Sequence, residues 1–277
     1  TIHKDPIKIF FDRRASKLYG QVTSDLINDL DEAQDLFGHN FNLLAHYGVE
    51  SRRGGPEDEM RGKIMSKIGA LKMLCSHPEL LTTSAKKFKQ MGGEGSAYIA
   101  ELVDTGKLDG LTNSPKLDYL VQYVKDHLEQ SEDNKVVIFA TYVDMLDKVV
   151  DALGVDMCRK YSGKLDAKTK EENKIAFNTD PTIRVLVSSD AGGYGVDLPA
   201  ANLLINYDLP WSSGNATQRN GRIQRASSTW PTIVIQDILI AGSIEERQHE
   251  ALQQKNSVAN AIIDGTGMTE DGGVPLS

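Results

Sequence analysis

Apolar and polar positions along this chain follow two different rhythms. Between residues 13 and 113 apolar residues recur at steps of three and four. Ala15, Leu18, Tyr19, Val22, Leu26 and Leu30 form one such stripe, and Met60, Ile64, Ile68, Leu71 and Cys75 form another. Those spacings put the apolar groups on one side of a 3.6-residue helix, so both stretches are expected to be helices that bury a single face. Asp12 precedes the first stripe in the position of an N-cap, and His77-Pro78 closes the second. IKIFF at 7–11 reads as a short strand ahead of these helices.

The rhythm changes at Ser114-Pro115, where a serine cap and a proline at the first helical position open a helix with Leu117, Leu120, Val121, Val124 and Leu128 inward. From there short apolar runs alternate with helical segments. Strands are predicted over 136–140, 157–161, 183–188, 203–207 and 233–240, and helices over 143–153, 166–177 and 243–263, with Ser243 and Glu246 spaced as a capping box. Parallel neighbours need crossover connections, so this alternation predicts an α/β fold with a mostly parallel sheet covered by helices. The expected organisation is a mainly helical extension over 1–113, an α/β lobe over 114–264, and a flexible glycine-rich tail over 265–277.

Composition narrows the class of protein. At 277 residues with a formal charge of −8, the chain is not one that coats nucleic acid by bulk charge, although a local basic groove is still allowed. Cys75 and Cys158 lie far apart and outside any C-x-x-C pair, which fits a reducing compartment. No metal site is expected, because Cys75 and His77 lack a second pair of ligands at finger spacing. No apolar run approaches bilayer length, so no membrane partner is expected. Asp31-Glu32-Ala33-Gln34 has the composition of an ATPase acidic box. It is expected to end a polar helix and does not follow a buried strand, so it is not read as catalytic.

Chemistry in a parallel sheet gathers outside the carboxyl ends of its strands. Three segments fall there. Thr141 and Tyr142 follow the first strand, where they either touch a phosphate or cap the helix. Ser188-Ser189-Asp190-Ala191-Gly192-Gly193-Tyr194-Gly195-Val196-Asp197 follows the third. Its glycines permit close approach of a ligand, and Asp197 is a candidate acceptor for a ribose hydroxyl. Gln218, Arg222 and Arg225 follow the fourth at spacings of four and three, which on a helix would align an amide and two guanidinium groups into one anion-binding face.

The order and spacing of these segments resemble the second RecA-like lobe of superfamily 2 helicases, and within it the Swi2/Snf2 family of double-stranded DNA translocases. VVIFATYVDMLDKV is similar to that family's motif IV, VLVSSDAGGYGVDLPAANLLINYDLPW to motif V with its following strand, and QRNGRIQR to motif VI. Upstream, LKMLCSHP at 71–78 resembles the family's inter-lobe segment, Ser114-Pro115-Lys116 the S-x-K that opens the lobe, and SIEER at 243–247 its closing segment.

The resemblance implies a RecA-like (P-loop NTPase-type) fold. It also implies a role as the C-terminal half of an ATP-dependent DNA translocase. Arg222 and Arg225 would be arginine fingers, with Gln218 in their network. Gly193, Gly195 and Asp197 would border the nucleotide cleft, and Thr141, Ser188 and Ser189 would touch nucleic-acid phosphates. ATP and Mg2+ would be the cofactors of the intact two-lobe protein. The partners implied are an N-terminal RecA-like lobe and double-stranded DNA, the fragment itself being monomeric. The setting implied is cytoplasmic, nucleoid-associated or, in a eukaryote, nuclear. An RNA-directed helicase lobe and a non-catalytic docking lobe are the alternatives.

Two departures from the family pattern and one gap stand out. The usual R-x-H-R-I-G-Q ending is replaced by Arg222-Ile223-Gln224-Arg225-Ala226-Ser227. Asp190 occupies a position where a basic residue is common, and every Gly-Lys pair in the chain is followed by Ile or Leu, so no G-x-x-x-x-G-K-S/T loop is present.

Overall fold

The computed structural model describes residues 1–38, 55–92, 96–190, 196–210 and 212–254. They form two compact units, one of residues 1–10 and 114–241, the other of residues 11–113 and 242–277.

The first unit is built on a parallel sheet. Its strands are β1 (Ile2–His3), β2 (Ile7–Ile9), β3 (Val136–Phe139), β4 (Cys158–Tyr161), β5 (Val185–Ser188), β6 (Leu203–Asn206) and β7 (Val234–Ile240). They are arranged in the order β1-β7-β6-β3-β5-β4, with β2 also on β7, and every pairing is parallel. The five strands expected from 136 onward are all present, shorter by a residue or two at their ends. Two more, β1 and β2, pair alongside β7, and β2 is the strand expected at 7–11, ending at Ile9.

Successive residues of a strand face opposite sides, and the core divides accordingly. Val137, Phe139, Leu186, Leu204 and Ile235 share one cluster with Phe177, Leu198 and Ile223. Val136, Ile138, Val185, Val187, Leu203 and Ile205 alternate with them and are equally buried. Both faces are apolar because both are covered, as a parallel sheet requires.

Helices of this unit are labelled with those of the other in chain order, α1 (Arg13–Phe37), α2 (Pro56–Ser76), α3 (Pro78–Met91), α4 (Ala97–Asp104), α5 (Pro115–Glu129), α6 (Val143–Leu153), α7 (Ala167–Thr179), α8 (Ser213–Asn220) and α9 (Ile244–Gln253). Ser114 caps α5 by accepting from the Leu117 N–H at 3.1 Å. Asp166 caps α7 in the same way, accepting from the Thr169 N–H at 2.8 Å. α6 packs against β4 and β5, and α5 against α6 and β7.

The second unit is helical among its described residues. Asp12 caps α1 through the Ala15 N–H at 2.8 Å, and the expected stripe from Ala15 to Leu30 is buried. The stripe on α2 is buried from Met60 to Cys75, and His77 both ends α2 and caps α3, its Nδ1 accepting from the Glu79 N–H at 3.1 Å. The Asp31-Glu32-Ala33-Gln34 segment lies inside α1 with Ala33 fully buried, so it is part of one long helix and not its end. At α9, Ser243 caps through the Glu245 N–H at 3.1 Å, while Glu246 reaches back to the Gly242 N–H at 3.1 Å, one residue short of the expected box. Cys75 and Cys158 are both buried free thiols. The predicted tail at 265–277 lies outside the described residues.

Candidate nucleotide and nucleic-acid site

The carboxyl rim of the sheet gathers the ends of β3, β5 and β6, because the three strands are in parallel register: Phe139 lies opposite Ser188 and opposite Asn206. The residues two positions beyond those ends, Thr141, Asp190 and Asp208, therefore meet at one place. Arg219 occupies it.

Arg219 is 2% exposed, and its guanidinium is fully engaged. Nε and Nη2 donate to the two oxygens of Asp190 at 2.6 and 2.8 Å, a bidentate pair. Nη1 donates to the Asn206 Oδ1 at 3.1 Å and to the Asp208 carbonyl at 2.6 Å, and Nη2 also reaches the Thr141 Oγ1 at 3.3 Å. The plane lies over the Phe139 ring, 5.3 Å from its centroid. Burial alone would lower the pKa of this group. The hydrogen bond and charge of Asp190, with the charge of Asp208 behind them, outweigh burial and raise it.

Asp208 is held just as closely. It accepts from the Thr141 N–H at 2.8 and 2.9 Å and from the Thr141 hydroxyl at 2.5 Å. Asn206 in turn donates to Asp237 at 2.7 Å. Thr141 thus spends both its N–H and its hydroxyl proton inside the protein. Ser188 donates to the Ser189 carbonyl at 3.0 Å, whereas the Ser189 Oγ, 2% exposed with its residue, has no hydrogen-bond partner among the described residues.

The expectation of a single helical face carrying Gln218, Arg222 and Arg225 is not met. α8 ends at Asn220, and Gly221 follows as its cap; a Cβ there would come within 3.3 Å of the Thr217 carbonyl. The chain then folds into successive turns. The Arg222 N–H donates to the Arg219 carbonyl at 3.1 Å, the Arg222 carbonyl accepts from the Leu198 N–H at 2.9 Å, and Ile223 is fully buried in the sheet core. Gln218 remains on α8 and is exposed.

The two predicted arginines fare differently on those turns. Arg222 is 7% exposed and its guanidinium has neither an ion pair nor a hydrogen bond among the described residues. Burial pushes its pKa down and the nearby Arg225 pushes it further, partly offset by Tyr161, Asp197 and Asp190. Arg225 is half-exposed and donates from Nε to Asp197 at 2.8 Å. Arg222, Arg225 and Asp197 are therefore neighbours, although in the sequence Asp197 belongs to the glycine-rich segment and the two arginines to the next one. Gly193 and Gly195, with Gly192, lie outside the described residues.

Sequence spacing does not single out Arg219, which lies between Gln218 and Arg222. The signal available was Asp190, which in the sequence reads only as a missing positive charge. In the fold it is the partner that neutralises Arg219.

Among the described residues no group of three His, Cys, Asp or Glu is placed to hold a metal ion, and no helix is long and apolar enough to cross a membrane.

Comparison with known proteins bears on the same rim. Residues 115–227 match the family described as helicase conserved C-terminal domain. The chain is 30% identical over 215 residues to the DNA repair and recombination protein RAD54B of Gallus gallus, an alignment that takes in 71% of this chain and 23% of that protein. It thus spans about a quarter of the length of the curated relatives it matches. Among solved structures, the C-terminal part of the Fun30 ATPase domain superposes with a TM-score of 0.60 at 19% identity, covering 92% of this chain and 89% of that one. The Sulfolobus solfataricus SWI2/SNF2 ATPase core in complex with dsDNA superposes with a TM-score of 0.60 at 20% identity, covering 92% and 44%.

This parallel sheet, covered by helices, is a RecA-like fold matching the C-terminal lobes of those neighbours. Residues 115–227 thus match a helicase C-terminal domain, and the chain shares the fold of SWI2/SNF2-type ATPase C-terminal domains.

Proposed function

We propose that this chain is the C-terminal half of an ATP-dependent double-stranded DNA translocase. In this reading it supplies arginine fingers and part of the DNA track to a first RecA-like lobe. The observation that carries the proposal is the state of Arg222. A guanidinium that is 7% exposed and unpaired among the described residues is a costly thing to keep, since burying an uncompensated charge is strongly unfavourable. An anion delivered from outside the lobe would offset that cost.

Arg225 suits the same task by a different route. Its only recorded ion pair, among the described residues, is with Asp197, and both side chains are about half exposed. Such a pair contributes at most about 1 kcal/mol, so a phosphate can take the place of Asp197 at little cost. Two guanidinium groups brought to a transferring phosphoryl group stabilise its developing charge, an effect on the order of 10³ to 10⁵ in rate. Asp197, released, is then free to accept from a ribose hydroxyl. The chain has no G-x-x-x-x-G-K-S/T loop, so the triphosphate and its magnesium are held in this reading by the first lobe. The donor set fits the phosphates through its two arginines.

On the nucleic-acid side, Ser188 and Ser189 at the end of β5 are the residues of this chain that would border the track. Thr141 serves it indirectly, through its hold on Asp208 and Arg219. A relative solved with dsDNA supports DNA as the polymer.

The test uses the complete two-lobe protein. Arg222→Ala and Arg225→Ala are each expected to lower ATP turnover by at least 10³-fold, in line with the loss of a finger, while nucleotide affinity changes little. Duplex DNA is expected to stimulate the wild type, and duplex RNA is not. Turnover unchanged in Arg222→Ala refutes the finger role, and stimulation by RNA alone refutes the track. The 277-residue chain by itself is expected to hydrolyse ATP negligibly.

A further inference from the structure

Arg222 is held by backbone, not by its own side chain. Its N–H is bonded to the Arg219 carbonyl and its carbonyl to the Leu198 N–H, so whatever fixes Arg219 fixes the start of the turn that presents Arg222. Arg219 is fixed by groups from three separate segments. Asp190 follows β5, Asn206 and Asp208 lie at and after β6, and Thr141 follows β3. All of them reach it through one rigid fork whose donor geometry leaves little rotational freedom.

From this convergence we infer that Arg219 and Asp190 form a positioning pair: Arg219 clamps the ends of β3, β5 and β6 to α8, and Asp190 holds it in the one orientation that sets Arg222 at the rim.

The two carboxylates on Arg219 are not equivalent. Asp208 is 1% exposed and is already satisfied by the N–H and hydroxyl of Thr141; its side chain touches Arg219 only at 3.5 Å. Asp190 takes both Nε and Nη2 at 2.6 and 2.8 Å and is 27% exposed. Orientation about the guanidinium axis is therefore set by Asp190, and charge balance by the two together. Asp190 touches neither Arg222 nor Arg225 by hydrogen bond among the described residues, so its effect on turnover passes through Arg219.

Asp190 is thereby tied, through Arg219, to the turn that carries Arg222. A shift at one end of this pair is felt at the other, because a bidentate contact does not slide.

This inference rests on the finger role proposed for Arg222, and the experiment separates the two. ATP turnover and KM are measured in the complete two-lobe protein for wild type, Arg222→Ala, Asp190→Asn and Arg219→Lys, at a temperature well below each melting midpoint and with matched circular dichroism. The expected result is that Asp190→Asn and Arg219→Lys lower kcat at least tenfold while KM for ATP stays within twofold, since the bound complex forms but the finger is misplaced.

If Arg222→Ala is inactive and Asp190→Asn keeps kcat within twofold, the positioning pair is refuted and the finger role stands. If Arg222→Ala is itself active, the underlying reading fails first. A rise in KM with unchanged kcat also refutes the pair, because it would place Asp190 in binding. Should Asp190→Asn not fold, the double variant Asp190→Asn with Arg219→Gln, which leaves no unpaired guanidinium, is measured by the same criteria.

Discussion

The Ile244 N–H donates a 2.7 Å hydrogen bond to the buried hydroxyl of Tyr19, joining the first turn of α9 to α1 across 225 residues of chain. The N–H groups of a helix's first turn have no partner within the helix, so this one would otherwise be left unpaired in the interior. Burial raises the Tyr19 pKa well above its usual range, with Cys75 adding to the shift, and the phenol stays protonated. Tyr19→Phe keeps the ring and removes only the acceptor. It is expected to destabilise the protein by about 1–3 kcal/mol, the cost of a buried donor left unsatisfied, measured by chemical denaturation. A change below about 0.3 kcal/mol would show that the bond carries no net stability.

Arg219 predicts a larger loss. Removing one member of a buried ion pair leaves the other uncompensated, and Asp208 at 1% exposure cannot turn to water. Arg219→Met is expected to cost about 3–5 kcal/mol. Asp190→Asn should cost clearly less, because its side chain is 27% exposed and an amide can still accept from the guanidinium. Equal losses in the two variants would contradict the division of labour between the two carboxylates.

His127 gives the sheet unit a dependence on pH. Its Nε2 meets the Asn202 Oδ1 at 3.0 Å, Asn202 donates to Asn134 at 2.9 Å, and Asn134 donates back to the His127 carbonyl at 2.7 Å. Burial lowers the His127 pKa below its ordinary 6.5. The hydrogen bond to Asn202 offsets part of that, while Lys4 and Arg184 lower it further. A histidine with a depressed folded pKa binds protons more readily when unfolded. Its contribution is therefore intact above pH 6.5 and is lost as pH falls from there through the folded value. Stability followed between pH 7.5 and 5 is expected to fall less steeply in His127→Gln than in the wild type. Superimposable slopes would rule His127 out as the titrating group.

Local pattern carried much of the architecture. The apolar runs at 136–140 and 203–207 mark β3 and β6 because a strand buried on both faces needs nothing but apolar residues. The caps at Asp12 and Ser114 were legible because capping is a contact over three residues. The stripes of α1 and α2 followed from a 3.6-residue period. The choice of Arg222 and Arg225 came from spacing and family resemblance, and the fold does bring them near Asp197.

What spacing misjudged was the backbone between Gln218 and Arg225. A helix was assumed to continue where Asn220-Gly221 ends it, and Ile223 draws the chain into the core, so the two arginines separate into one buried and one half-exposed.

Arg219 is the clearest case of what the chain's order alone does not reveal. By composition it is one more polar residue on a polar helix. It becomes the centre of the rim only when parallel pairing brings Thr141, Asp190, Asn206 and Asp208 together. Helices, strands and caps are decided by neighbours a few residues apart, and so the sequence determined them. A guanidinium's partners are chosen by which strand ends meet in space, and only the tertiary structure decided that.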